Sequence, residues 1–210
     1  MTYAQILDNL EQNKPFVFMR WGDGEWNCIY RKLAKNTNTD GHHYFPELAR
    51  SLKRILESEN SNQVFEHGLQ NFAKIVFQKE IDLYQNINWS DADVFVEQSR
   101  KGELKIKRIL NDSLIVGNKN YLGKFKHVLE VPKVDAWLQI DSILDEVLDL
   151  SHHFDKIFFC CGMMAAPLMQ RIHDHFDDLC LVDLGSVLDP YIGIQSRLYH
   201  KDIIKNKFTL

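Results

Sequence analysis

The chain has no apolar run approaching the roughly 20 residues that a membrane-spanning helix needs, and its longest hydrophobic stretches are strand-sized. Residues Met1 to Asp8 carry neither a basic n-region nor an apolar h-region, so a secretory signal is not expected. Cysteine is scarce. Cys28, Cys160, Cys161 and Cys180 form no Cys-x-x-Cys spacing, and three of them fall in apolar, strand-like runs where cysteine serves as a small buried hydrophobe. A reducing, cytoplasmic setting fits that usage. Dense Lys/Arg runs with interleaved aromatics are also missing, and the formal net charge is −4, which argues against nonspecific nucleic-acid binding. Low-complexity tracts, internal repeats and a clear linker are absent too, so 210 residues read as a single α/β domain over 1–210.

What is present begins at Phe16. The run Phe16-Val17-Phe18-Met19 reads as a short buried strand that stops at Arg20. Gly22-Asp23-Gly24-Glu25 follows as a turn, and a helical pattern then extends from about Glu25 to Lys35. Glycines at 22 and 24 can take positive φ at little cost, which would let both acids face one point. An Asp-x-Glu pair held this way offers hard oxygen ligands to Mg²⁺ or Mn²⁺. The same residues also suit a plain helix start, with Asp23 capping and Glu25 favoured by the helix dipole.

Around this turn the chain alternates short apolar runs with helical periodicity. Helices are expected over 3–13, from Pro46 to about Leu56, over 69–85, 94–110, 136–150 and 164–176. Strands are expected at 63–68, 114–118, 127–132, 156–162 and 179–185. Ser90 is read as an N-cap, and Arg100, Lys101, Lys105, Lys107 and Arg108 as a solvated face. His42 and His43, in a polar loop over 36–46, are read as solvent-exposed, and His173-Asp174-His175 as surface. The pattern predicts a Rossmann-like, mostly parallel sheet with helices on both faces. Ligands of such sheets bind at strand carboxyl ends, which brings forward Gly117, Asn118, Gly162, Gly185 and Ser186.

The Arg20-aromatic-Gly22-Asp23-Gly24-Glu25 turn resembles that of the bacterial GT-D-type glycosyltransferases, first described as a domain of unknown function, DUF1792. Three later segments are similar as well: Pro132 through Trp137 to Asp141-Ser142-Ile143-Leu144, Phe158 to Leu168 around Gly162, and Asp183-Leu184-Gly185 to Asp189. The likeness runs over about 15–195. It implies transfer of a sugar from a nucleotide diphosphate sugar, typically a UDP-sugar, to a growing glycan acceptor, lipid- or protein-linked, in polysaccharide or glycoprotein-glycan synthesis. By position it assigns a divalent metal, usually Mn²⁺, to Asp23 and Glu25, and makes Arg20 a phosphate or carboxylate partner. One departure stands out: many members carry His after the closing Asp-x-Gly, where this chain has Ser186.

The donor chemistry agrees with that assignment. A diphosphate leaving group gains charge as the glycosidic bond breaks, and a cation stabilises it. Asp183 and Asp189 are the nearest candidates for a base, although Asp189-Pro190 is also an ordinary turn opening. Arg197 is equally compatible with a phosphate and with the surface. Two alternatives remain open at this level. One is another Rossmann-like enzyme, such as a methyltransferase or dehydrogenase, although Asn27 stands where Gly-x-Gly-x-x-Gly needs its third glycine. The other is a non-catalytic nucleotide-sugar- or glycan-binding module.

Overall fold

The structure is a computed structural model that describes residues 1–33 and 41–210. Seven strands form one sheet: β1 (Phe16–Trp21), β2 (Glu66–Leu69), β3 (Ser90–Asp91), β4 (Leu114–Gly117), β5 (Val128–Glu130), β6 (Lys156–Cys160) and β7 (Cys180–Asp183). Their order across the sheet is β3-β2-β1-β7-β6-β4-β5, and every pairing is parallel. The first and last strands are therefore neighbours in the middle, with Phe18 beside Val182. All seven carboxyl ends point to one edge, where the connecting loops gather.

Both faces of the sheet are covered, and the strand sequences show why. Val17, Met19 and Trp21 of β1, Leu114 and Val116 of β4, Ile157 and Phe159 of β6, and Leu181 of β7 join one apolar core. Phe18, Ile115, Phe158, Cys180 and Val182, the alternate residues, join the other. Successive side chains of a strand point to opposite faces, so a continuous apolar run is what a doubly covered strand requires. Helices Pro46–Glu57, Ile140–Ser151 and Ala165–His173 supply the first layer through residues such as Leu52, Ile55, Val147 and Leu168. Helices Tyr3–Glu11 and Val94–Lys101 supply the second through Ile6, Leu10 and Phe95.

Several expected elements differ in extent. The segment 63–68 divides into a helix Glu59–Val64, whose N-cap Ser58 accepts from the Ser61 N–H, and strand β2 shifted toward Leu69. Ser90 starts the edge strand β3 and is not a cap, and Asp93 precedes the helix that begins at Val94. That helix ends at Lys101 because Gly102 adopts a left-handed φ of 70°, and Lys107–Asn111 resumes as a separate short helix. The predicted 69–85 helix is broken at Phe77 into Asn71–Val76 and Gln78–Ile81. After the acidic turn, a four-residue helix Asp23–Trp26 passes into a π-helical turn Asn27–Arg31 that stops at the left-handed Lys32. Lys35, and residues 36–40 of the polar loop, lie outside the described residues.

Trp26 anchors that turn. It is fully buried, its ring stacks on Tyr30 and Phe77, and it also meets Tyr84 and Trp89. Large aromatic contacts of this kind fix the backbone that carries them. The two acids just before Trp26 thus sit on a rigid base.

Candidate active site

The carboxyl edge of the sheet opens into a cavity of about 520 Å³. Arg20, Gly22, Asp23, Glu25, Asn118, Gly162, Asp183, Gly185, Ser186 and Asp189 all line it. Of the predicted residues only Gly117 stays off the wall. Its hydrogen faces the Tyr121 ring, and a Cβ there would come 2.7 Å from Tyr121 Cδ2. Gly117 thus acts by letting Tyr121 approach.

The central neighbours β1 and β7 deliver the charged groups. β1 ends in Arg20 and Trp21, and the Gly22–Glu25 turn follows at once. Gly22 has a φ of −103°, so a left-handed backbone is not what it supplies. Its role is space, because a Cβ at Gly22 would come 2.3 Å from Gln70 Oε1 at the end of β2. Gly24 lies inside the short helix and is buried. The Gly22 N–H donates to Glu25 Oε2 at 2.8 Å, so one carboxylate oxygen of Glu25 caps its own helix.

Burial, then the charge of Asp183, and more weakly that of Asp23, push the Glu25 carboxyl up to about 7. Asp183, 5% exposed at the end of β7, is itself raised to about 6 by burial, although the Arg20 guanidinium draws it down. Asp183 Oδ1 accepts the Gly185 N–H at 2.8 Å. Gly185 has a φ of 54° and lies directly against Arg20. Arg20 Nε is buried without a hydrogen-bond partner among the described residues. Three carboxyls and one guanidinium thus converge at the middle of the sheet.

Asp189 sits differently. Its Oδ1 accepts from the Tyr121 hydroxyl and its Oδ2 from the Ser196 hydroxyl, and the residue is 8% exposed. The two aspartates predicted as candidate bases therefore differ in their partners: the backbone N–H groups of Gly185 and Arg20 donate to Asp183, whereas Asp189 ties two cavity-lining hydroxyls together.

One correction concerns a histidine. His42 is not a free loop residue: it lines the cavity, its side chain is only 18% exposed, and its Nδ1 accepts the Asp135 N–H at 3.1 Å. His43 is exposed and pairs with the Asp135 carboxylate. Arg100 is exposed, as its place on a solvated face requires, and it also lines the cavity, as does Arg197. His173 packs its ring edge-on against Phe65 at 5.2 Å, with Nδ1 buried. Tyr121, Gln70, Ser196 and Tyr199 were not singled out in the sequence, because nothing local distinguishes them from other polar loop residues.

Among the described residues, no group of three or more His, Cys, Asp or Glu side chains is arranged to hold a metal ion. A closed protein cage is therefore not what this cavity offers. The crowding of Glu25 by Asp183 and Asp23 does suit a divalent cation of the Mg²⁺ type, which takes one or two carboxylates and completes its shell with water and substrate phosphates. No helix among the described residues is long and apolar enough to cross a membrane.

No protein-family model matches the chain, and no curated protein matches it. Its fold is nevertheless that of solved structures. A selenomethionine-substituted DUF1792 domain superposes with a TM-score of 0.66, at 18% identity over 90% of this chain and 78% of that one. A second DUF1792 structure, described as a highly conserved domain with a distinct glycosyltransferase fold, gives a TM-score of 0.64 at the same identity and coverage. The chain thus has the DUF1792-type glycosyltransferase fold expected from its acidic turn.

Proposed function

We propose that the protein is a metal-dependent glycosyltransferase that moves a sugar from a nucleotide diphosphate sugar, a UDP-sugar first among them, to a glycan acceptor. The observation that carries this reading is the placement of Asp23, Glu25, Asp183 and Arg20 at the ends of two adjacent central strands, facing one cavity. A nucleotide diphosphate sugar needs a place for two negative phosphates and a place for a developing oxocarbenium-like centre, and mixed charge of this kind supplies both.

In this reading Asp23 and the uncapped oxygen of Glu25 hold the cation, Mn²⁺ or Mg²⁺. When bound, such a cation neutralises charge on the departing diphosphate. Arg20, whose Nε has no hydrogen-bond partner among the described residues, donates to a phosphate oxygen from the other side. The acceptor hydroxyl attacks the anomeric carbon as the bond to the diphosphate breaks, and its proton passes to Asp183. A carboxyl raised to about 6 is well matched to that task near neutral pH. Asp189 holds Tyr121 and Ser196 on the cavity wall and makes no contact with the reacting atoms. Ser186, where many relatives carry His, shares a hydrogen bond with Tyr199 and takes no proton.

The test is turnover. UDP-, GDP-, CDP- and TDP-sugars are incubated with and without Mn²⁺, and release of the nucleoside diphosphate is followed. Release from one base series only, requiring metal and abolished by Asp183→Asn, supports the reading. Tight binding without release in any series would leave a binding module in its place.

A further inference from the structure

The loops that leave the carboxyl ends of β2, β4 and β5 expose large apolar side chains. After β2, helix Asn71–Val76 buries Ala73 and leaves Phe72, Ile75 and Val76 exposed, Ile75 at 80%. Their spacing of i, i+3 and i+4 puts the three on one helical face. Leu122 is exposed after β4, and Val134 after β5. Single apolar side chains on a surface are ordinary, but these flank one opening. Phe72, Tyr121 and Lys133, one from each loop, line the cavity, and exposed Leu198 stands between the wall residues Arg197 and Tyr199.

Charge in the same loops is of one sign. Residues 70–77 contain Lys74 and no acid, and residues 118–127 contain Lys119, Lys124 and Lys126 and no acid. Residues 131–135 contain Lys133 and Asp135, and Asp135 is already paired with His43. These lysines are exposed, and none forms an ion pair among the described residues. The whole chain carries a formal charge of −4, so the basic ring is local and does not follow from composition. Acids at the mouth come from the β3 side: Asp93 accepts the Asn71 N–H, and exposed Glu97 lies one turn before Arg100. The apolar side chains are spread over separate loops, each with a lysine close by, so they form no single groove for a peptide or helix. A two-fold contact between copies would set the lysine ring against itself. A fluid surface of negative charge suits the arrangement, because apolar side chains enter the headgroup–acyl boundary while ammonium groups meet anionic headgroups.

We propose that the loops after β2, β4 and β5 dock the cavity mouth onto a lipid bilayer that carries anionic headgroups. The contact is peripheral, made by side chains such as Ile75 and Leu122 with Lys74 and Lys124 beside them. Taken with the proposed function, it makes the acceptor a lipid-linked glycan presented at the bilayer surface. That conclusion about the acceptor rests on the transferase reading, and the bilayer contact itself does not.

The experiment is vesicle flotation of the full chain with no nucleotide or metal present. Vesicles of phosphatidylcholine alone, and of phosphatidylcholine with phosphatidylglycerol, are mixed with wild type, Lys74→Glu/Lys124→Glu and Ile75→Ser/Leu122→Ser, each checked for its fold by circular dichroism. Wild type is expected to float with the anionic vesicles only, and to be released in about 1 M NaCl, where the Debye length is about 3 Å. Both variants are expected to bind at least tenfold more weakly. No flotation of wild type, equal binding to neutral and anionic vesicles, or binding that both variants retain overturns the proposal. Two other occupants would show themselves in the absence of flotation, and either overturns it: a wild-type dimer that Ile75→Ser/Leu122→Ser turns into a monomer in sedimentation, or binding of polyglutamate that Lys74→Glu/Lys124→Glu abolishes. Release of nucleoside diphosphate from the donor in solution is then compared among the three proteins and is expected to change less than threefold. A parallel loss of release places these residues in the donor site and overturns the proposal as well. Absence of release by wild type, with lysine-dependent flotation intact, would instead defeat the transferase reading alone.

Discussion

Arg20 and Gly185 are packed so closely that a Cβ added to Gly185 would stand 1.8 Å from Arg20 Nη1. This contact joins the ends of β1 and β7, the two strands that carry the acids and the guanidinium. Gly185 is also left-handed, with a φ of 54°, so an alanine there meets both a clash and a strained backbone. Gly185→Ala is expected to lower unfolding stability by about 1–3 kcal/mol and to displace Arg20. Urea denaturation measures the first effect. The second appears as weaker binding of UDP in Mn²⁺, beyond what the stability change explains.

The acid pair gives the ligand-free protein a particular pH dependence. Glu25 is raised to about 7 and Asp183 to about 6, both above their unfolded values. A group raised in the folded state favours folding while it is protonated, so this contribution is complete below about pH 4 and is lost as pH climbs through 6 to 7. Buried His67 and His200 act in the opposite sense: each is lowered to about 4, chiefly by burial, and their contribution is lost as pH falls from the ordinary histidine range toward that value. Wild-type stability alone therefore mixes the two. Glu25→Gln separates them, because Gln keeps an oxygen for the Gly22 N–H while removing the titration. Relative to wild type, the variant is expected to gain thermal stability steadily from pH 5 to 7.5, and to lose that advantage when Mn²⁺ is added. A flat difference across the range would contradict the burial of Glu25 among acids.

Asp189 is expected to matter for structure at the cavity wall and not for proton transfer. Asp189→Asn replaces one of two accepting oxygens with an N–H₂ that faces a hydroxyl. Its expected cost is about 1–3 kcal/mol of stability, with Tyr121 and Ser196 loosened. Turnover should fall modestly and its pH profile should keep its shape. By contrast, Asp183→Asn should abolish the ascending limb of that profile along with most activity. Rate measurements from pH 5 to 8 on both variants distinguish the two aspartates.

Much of the fold was legible because central parallel strands advertise themselves. Leu114 to Gly117, Ile157 to Cys160 and Cys180 to Val182 are apolar throughout, as strands covered on both faces must be. The edge was not legible. β3 is two residues long, and Ser90 and Asp91 carry no apolar signal, since an edge strand so short gains its place from pairing with Gly68 and Leu69. Gly22 was found for the wrong reason: its importance lies in the nearness of Gln70 and not in its φ. The acidic turn could be read locally because its residues are adjacent in sequence. Arg100, Tyr121 and Tyr199 could not, since only the folded chain brings helix 94–101, the β4 loop and the segment after β7 to one wall.

The most direct test of the central claim is calorimetric titration of UDP into wild type and into Asp23→Asn/Glu25→Gln, each with and without Mn²⁺. The account predicts that Mn²⁺ tightens UDP binding to wild type at least tenfold. It also predicts that the double variant, folded by circular dichroism, binds UDP weakly and equally with or without the metal. UDP binding that ignores both Mn²⁺ and the two substitutions would contradict the assignment of the acidic turn to a metal–diphosphate site.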